Sequence, residues 1–117
     1  MRYHDPVPLT RAEAERALAS GDAEAMADTL VALAFHEPDW RWTQEHCLAF
    51  THHGDARLRA VGATCLGHLA RVHGALDLDR VGPRLLDLSR DARTAGQAGD
   101  AMDDIRMFMG VGIKRKS

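Results

Sequence analysis

Aromatic side chains are scarce in this chain: two tryptophans, one tyrosine and three phenylalanines make up 5% of its 117 residues. Alanine, leucine and arginine are abundant instead, a mix that favours helix. Long apolar runs are missing too. None approaches the roughly 20 residues of a membrane span, and the opening MRYHDPVPLT lacks the apolar core of a signal peptide. A cytoplasmic protein with no membrane partner is therefore expected. There is no excess of positive charge. Fifteen Lys and Arg against 17 Asp and Glu leave a net charge of −2, which argues against a nucleic-acid-binding surface. The two cysteines, Cys47 and Cys65, fall on predicted buried helix faces, where reduced packing thiols are expected. Common catalytic signatures are absent: no glycine-rich phosphate loop, no GxSxG and no CxxC. Ser20, Ser89 and Ser117 fall at helix ends or in the tail with no suggestive partner. No enzyme activity and no cofactor are expected.

What the chain does have is helical periodicity. At this length it makes one domain spanning 1–117, with a hydrophobic share of 45% and a charged share of 27%. Residues 1–9 hold two prolines and read as an irregular lead-in. Thr10 and Glu13 form a capping box that opens a helix of about residues 11–19. Asp22 caps a second helix with Met26, Leu30, Leu33 and Ala34 on one face, stopped at His36-Glu37-Pro38. Asp39 caps a third, WRWTQEHCLAFTHH, closed by Gly54; Trp40, Thr43, Cys47, Leu48, Phe50 and Thr51 share its inner arc. A fourth helix follows Asp55, with Leu58, Val61, Cys65, Leu66, Leu69 and Val72 at helical spacing. A fifth follows Asp79, with Pro83 in its first turn, where a missing N–H does least harm. Residues 94–99 read as a small-residue loop. A sixth helix spans about Asp100 to Met109, with Ala101, Ile105 and Phe108 inward, and 110–117 form a basic, frayed tail.

Asp22, Asp55 and Asp91 stand 33 and 36 residues apart, and each of the first two intervals holds two helices. That is the layout of a helical solenoid, with units at about 22–54 and 55–91 and a half unit at about 92–110. GDARLRAVGATCLGHLARVHG resembles the first helix of a HEAT-type repeat through Asp55, Arg59, Ala63 and Leu66-Gly67. VGPRLLDLSRD resembles the second through Pro83, Leu85 and Leu86. The first unit departs from the pattern, with Met26 in place of the arginine. The resemblance implies an all-α fold, a short HEAT-like α-solenoid of five to six helices in antiparallel pairs, with Arg59 bonded to an aspartate or carbonyl. The run from GDAEAM to DAMDDIRMFMG, and EPDWRWTQ and DAMDDIRMF within it, is also similar to small bacterial immunity proteins of polymorphic or contact-dependent toxin systems.

The expected function is thus a non-catalytic protein-binding module that neutralises a cognate toxin, for instance a nuclease. The alternative is a HEAT-like scaffold or adaptor, and a small lyase using the His/Asp set is a third class. The candidate partner-binding residues are Trp42, Glu45 and His46 on the third helix and Asp100, Asp103 and Asp104 on the sixth. Trp42 falls opposite the inner arc, where a tryptophan can anchor a partner; packing against the first or fifth helix is the competing reading. The three aspartates form an anionic patch suited to a basic partner; capping and dipole compensation in a first turn are the structural alternative. His46 and His53 are too far apart to share a metal on one helix, since such pairs stand at i, i+4, and no metal site is expected. Met102, Met107 and Met109 make a soft surface compatible with a weak homodimer.

Overall fold

The helix starts obey local capping chemistry. In the computed structural model, which describes residues 9–113, the Thr10 hydroxyl accepts from the Glu13 N–H while Glu13 accepts from the Thr10 N–H. This opens α1 (Arg11–Leu18). The Asp22 carboxylate accepts from the N–H groups of Glu24 and Ala25 and opens α2 (Ala23–His36). Asp39 does the same for α3 (Trp40–Phe50), and Asp55 for α4 (Ala56–His73), which Gly74 ends in the left-handed conformation. The last two helices are α5 (Leu78–Leu88) and α6 (Ala95–Met109). No strand occurs among the described residues, and the fold is all-α.

α4 is the centre of the molecule. It packs against α6, α3 and α2, and only lightly against α5. Two glycines let its neighbours close in. A Cβ on Gly62 would stand 2.8 Å from the Cys47 carbonyl oxygen and 2.9 Å from Phe50 Cβ, on α3. A Cβ on Gly67 would stand 2.8 Å from an Asp104 carboxylate oxygen and 3.1 Å from Ala101 Cα, on α6. Five residues at 100° each put these contacts about 140° apart round the helix, so α3 and α6 occupy nearly opposite flanks of α4. The buried core, with Leu30, Leu66, Leu69, Leu85 and Ile105 at its centre, runs along this axis. Cys47 and Cys65 are both buried there as free thiols.

Two rows result. α2, α4 and α6 form an apolar row. α1, α3 and α5 lie against it and are joined to one another by polar side chains: Arg11 to Asp39, Arg80 to Glu45 and Arg84 to Thr51. The body measures 43 × 27 × 24 Å with a radius of gyration of 13.5 Å, so three stacked layers still make a compact unit, near the roughly 13 Å of an average domain this size.

Four sequence expectations change. The residue before α5 is Asp77, not Asp79, and its side chain makes no capping bond; its N–H instead donates to Gln44 Oε1 of α3 at 2.7 Å. α6 begins at Ala95, five residues earlier than its aspartates indicated. Ala101 there packs on Gly67 of α4, and this packing outweighs a helix propensity about 1 kcal/mol poorer for each of the two glycines. Phe108 and Val72, placed inward by periodicity, are 45% and 44% exposed. The end of the chain is not wholly free either, since Ile113 lies 3.6 Å from where Gly82 of α5 would carry a Cβ. The lead-in 1–8 and the basic end 114–117 lie outside the described residues.

Candidate partner-binding surface

On α3, Trp42 is half-buried and enclosed by two neighbours. The Arg11 guanidinium of α1 lies 4.4 Å from its ring centroid, and the His46 ring meets it edge-on at 4.7 Å. Arg11 is held in place by Asp39 at 2.8 Å and Glu37 at 3.6 Å, and its hydrogen bond holds the Asp39 carboxyl below the usual carboxylate range. Burial pushes the His46 imidazole down, against the opposing charges of Glu15 and Glu45. His46 also lines a cleft of about 340 Å³ between α1 and α3, with Leu18, Met26 and Phe50. Glu45 is engaged as well. Arg80 of α5 grips both its oxygens, at 2.5 and 2.9 Å, and thereby lowers its pKa. Arg84 continues the seam by donating to the Thr51 hydroxyl at 3.1 Å and the Thr51 carbonyl at 2.7 Å.

The aspartates of α6 stand on the other flank. None of the three is in the first turn, so capping does not account for them. Asp100 is exposed, and Asp103 pairs with Arg106 at 2.8 Å. Asp104 is half-buried against Gly67, and its charge acts on His68 of α4. The structure therefore brings Trp42, Glu45 and His46 together in one group and gathers the three aspartates in another, with α4 between. Arg59 donates to the carbonyls of His53 and Gly54 at 2.8 and 3.1 Å and faces Asp91 at 3.7 Å. No group of three or more His, Cys, Asp and Glu side chains that could hold a metal occurs among the described residues.

A further group was singled out from the sequence only at Met107. Among the described residues, the large hydrophobic side chains left exposed are Phe35 (38%), Val72 (44%), Met107 (73%), Phe108 (45%) and Val111 (40%). All of them belong to the C-terminal ends of α2, α4 and α6 or follow directly after. The Phe35 ring stacks at a tilt on His68, 4.8 Å between centroids, and the Arg71 guanidinium lies 5.7 Å from the Phe108 centroid. These contacts make one patch across three helices. Burial pushes the His68 imidazole down, Arg71 adds to the shift and Asp104 opposes it; its Nδ1 is buried with no hydrogen-bond partner.

No protein-family model matches the chain, and no curated protein matches it. A solved structure does: a chain in the crystal structure of a CDI (contact-dependent inhibition) complex from Cupriavidus taiwanensis LMG 19424. The two chains superpose with a TM-score of 0.82 at 38% identity, over 92% of this chain and 97% of that one. This chain belongs to the same family. The match takes in nearly the whole of both chains and not one repeat-sized piece. The HEAT-type pattern remains a likeness of sequence.

Within this CDI family member, the exposed patch had a signal that periodicity could have given. Phe35 falls four residues after Val31, on a second apolar arc of α2 beside the one that meets the core. Phe108 follows Ala101 and Ile105 at seven and three residues, which reads as continued burial. The difference lies in the last turn of α6, which carries Phe108 to the surface beside Arg71.

Proposed function

We propose that this chain is the immunity partner of a contact-dependent inhibition toxin, acting in the cytoplasm by binding the toxin without catalysis. The observation that carries the reading is the 38% identity, over nearly the whole of both chains, to a chain of a CDI complex. The likeness of GDARLRAVGATCLGHLARVHG and EPDWRWTQ to HEAT-like immunity proteins supports the neutralising role over the toxic one. No described helix is long and apolar enough to cross a membrane.

Of the two groups of candidate residues, the aspartates of α6 suit a partner better. Glu45 and Trp42 are engaged within the molecule, and recruiting Glu45 would mean breaking its paired bond to Arg80. Asp100 is exposed, and Asp103 has only the exposed Arg106 beside it. Carboxylates so placed would steer a basic toxin, such as a nuclease, toward α6. Co-expression with a CDI toxin domain encoded beside this chain's gene tests the role: restored growth and a stable complex on gel filtration are expected, and the lack of such a gene, or failure of both, refutes it. Asp100→Lys with Asp103→Lys should slow association at low salt and lose that effect near 0.5 M salt, where roughly 4 Å of screening length remains. A loss independent of salt would rule out steering.

A further inference from the structure

The two rows differ in what they leave unsatisfied. Along α1, α3 and α5 two ion pairs link the helices, Arg11 with Asp39 and Arg80 with Glu45, and no large hydrophobic side chain of these described helices is open to solvent. At the C-terminal ends of α2, α4 and α6 the opposite holds. Phe35, Val72, Met107 and Phe108 are open to solvent. Arg71 is exposed over the Phe108 ring and has no ion pair among the described residues. Helices in contact lie roughly 8–10 Å apart, so a patch from α2 across α4 to α6 is about 16–20 Å wide. Contiguous exposed apolar surface of that reach, with an arginine and aromatic rings at its centre, has the make-up of an interface core.

We infer that this patch is the docking surface for the toxin, and that the toxin face it fits presents an apolar side chain between Phe35 and Phe108 with a carboxylate opposite Arg71. The inference rests on the immunity reading and deepens it by placing the contact. Two features select a heterologous protein over a second copy of this chain. The unpaired charge at the patch centre is a cation, and two copies related by a two-fold axis would set Arg71 against Arg71. The required carboxylate must then come from elsewhere. Of the acids bordering the patch, Asp104 is turned toward Gly67 and His68 and half-buried, and Asp103 is paired with Arg106 at 2.8 Å. The α6 aspartates border the patch, so steering by them and anchoring by the patch act on one approach path.

The test measures binding of a CDI toxin domain encoded beside this chain's gene to the full chain and four variants by calorimetry, with the melting temperature as a fold control. Phe35→Ser with Phe108→Ser should weaken binding by roughly a hundredfold, as for two interface anchors of about tenfold each. Arg71→Glu should weaken it by about tenfold or more, with Arg71→Ala intermediate. Trp42→Ala, on the other row, should change affinity less than about threefold once its folded fraction is matched. Unchanged affinity in both the double variant and Arg71→Glu would overturn the placement and leave the immunity reading standing. No binding by the unaltered chain would overturn both. Light scattering on the chain alone gives the remaining outcome: a dimer dissolved by the double variant would assign the patch to a second copy and refute the toxin as its occupant.

Discussion

Trp42 acts as a fastener between two helices that share little apolar surface. Its ring supports the Arg11 guanidinium at 4.4 Å, and the same arginine bonds Asp39, the residue that caps the tryptophan's own helix. One side chain of α1 thus closes a loop of contacts on the start of α3. Trp42→Ala removes the platform and opens the α1–α3 cleft. A loss of roughly 2 kcal/mol is expected, about half the cost for a fully buried aromatic, read as a lower urea midpoint. An unchanged midpoint would mean that α1 is held by α2 alone. Arg59 plays a comparable part at the α3–α4 turn. Its two carbonyl bonds hold residues 53–54 and its charge reaches Asp91, a role the resemblance to a HEAT-type repeat implied.

At the scale of the helix, small residues decide who packs on whom. Gly62 and Gly67 are contact points on α4, whereas a Cβ added at Gly99 in α6 would meet nothing within 4 Å. The same substitution should therefore act in opposite directions. Gly62→Ala forces a Cβ onto the Cys47 carbonyl and should cost about 1–3 kcal/mol, as overpacking does. Gly99→Ala should add up to about 1 kcal/mol from helix propensity. Thermal melts of the two variants should bracket the parent, and a stabilised Gly62→Ala would show that α3 can move back. This also explains what the sequence did and did not disclose. Starts governed by a neighbouring side chain, as at Thr10, Asp22, Asp39 and Asp55, were readable. The start of α6 was not, because Gly96 and Gly99 look like a loop, and it is Ala101 packed on Gly67 of α4 that holds the helix there. Nor was the start of α5, where Asp77 is tied by Gln44 from 33 residues away. The exposure of Phe108 depended in turn on where the ends of three helices came together. Local chemistry is visible in the chain; approach distances between helices are not.

For the whole molecule, the charge pattern sets a dome of stability against pH. His46 and His68 are held below their ordinary 6.5 by burial. Their contribution is complete above that value and is lost as pH falls through the lower folded values. Asp39, Glu45, Asp91 and Asp55 are held down by arginines, Asp55 to about 2; their contribution is present above about pH 4.5 and goes as pH falls below it. Burial pushes the Cys47 thiol up, so an alkaline decline begins above its ordinary value of 9.0 as the unfolded thiol ionises. Urea midpoints should be flat from about pH 7 to 8.5, fall gently below about 6.5 and steeply below about 4.5. A midpoint unchanged at about pH 5.5 would show that neither histidine is strained. The enclosure of α4 has a kinetic corollary. Its amides are shielded by α2, α3 and α6 together, and no one of these can lift away without exposing the Leu66–Leu69 stretch. In deuterated solvent the amide protons of residues 62–70 should exchange last and at a single common rate, that of global opening, while those of α1 exchange early and independently.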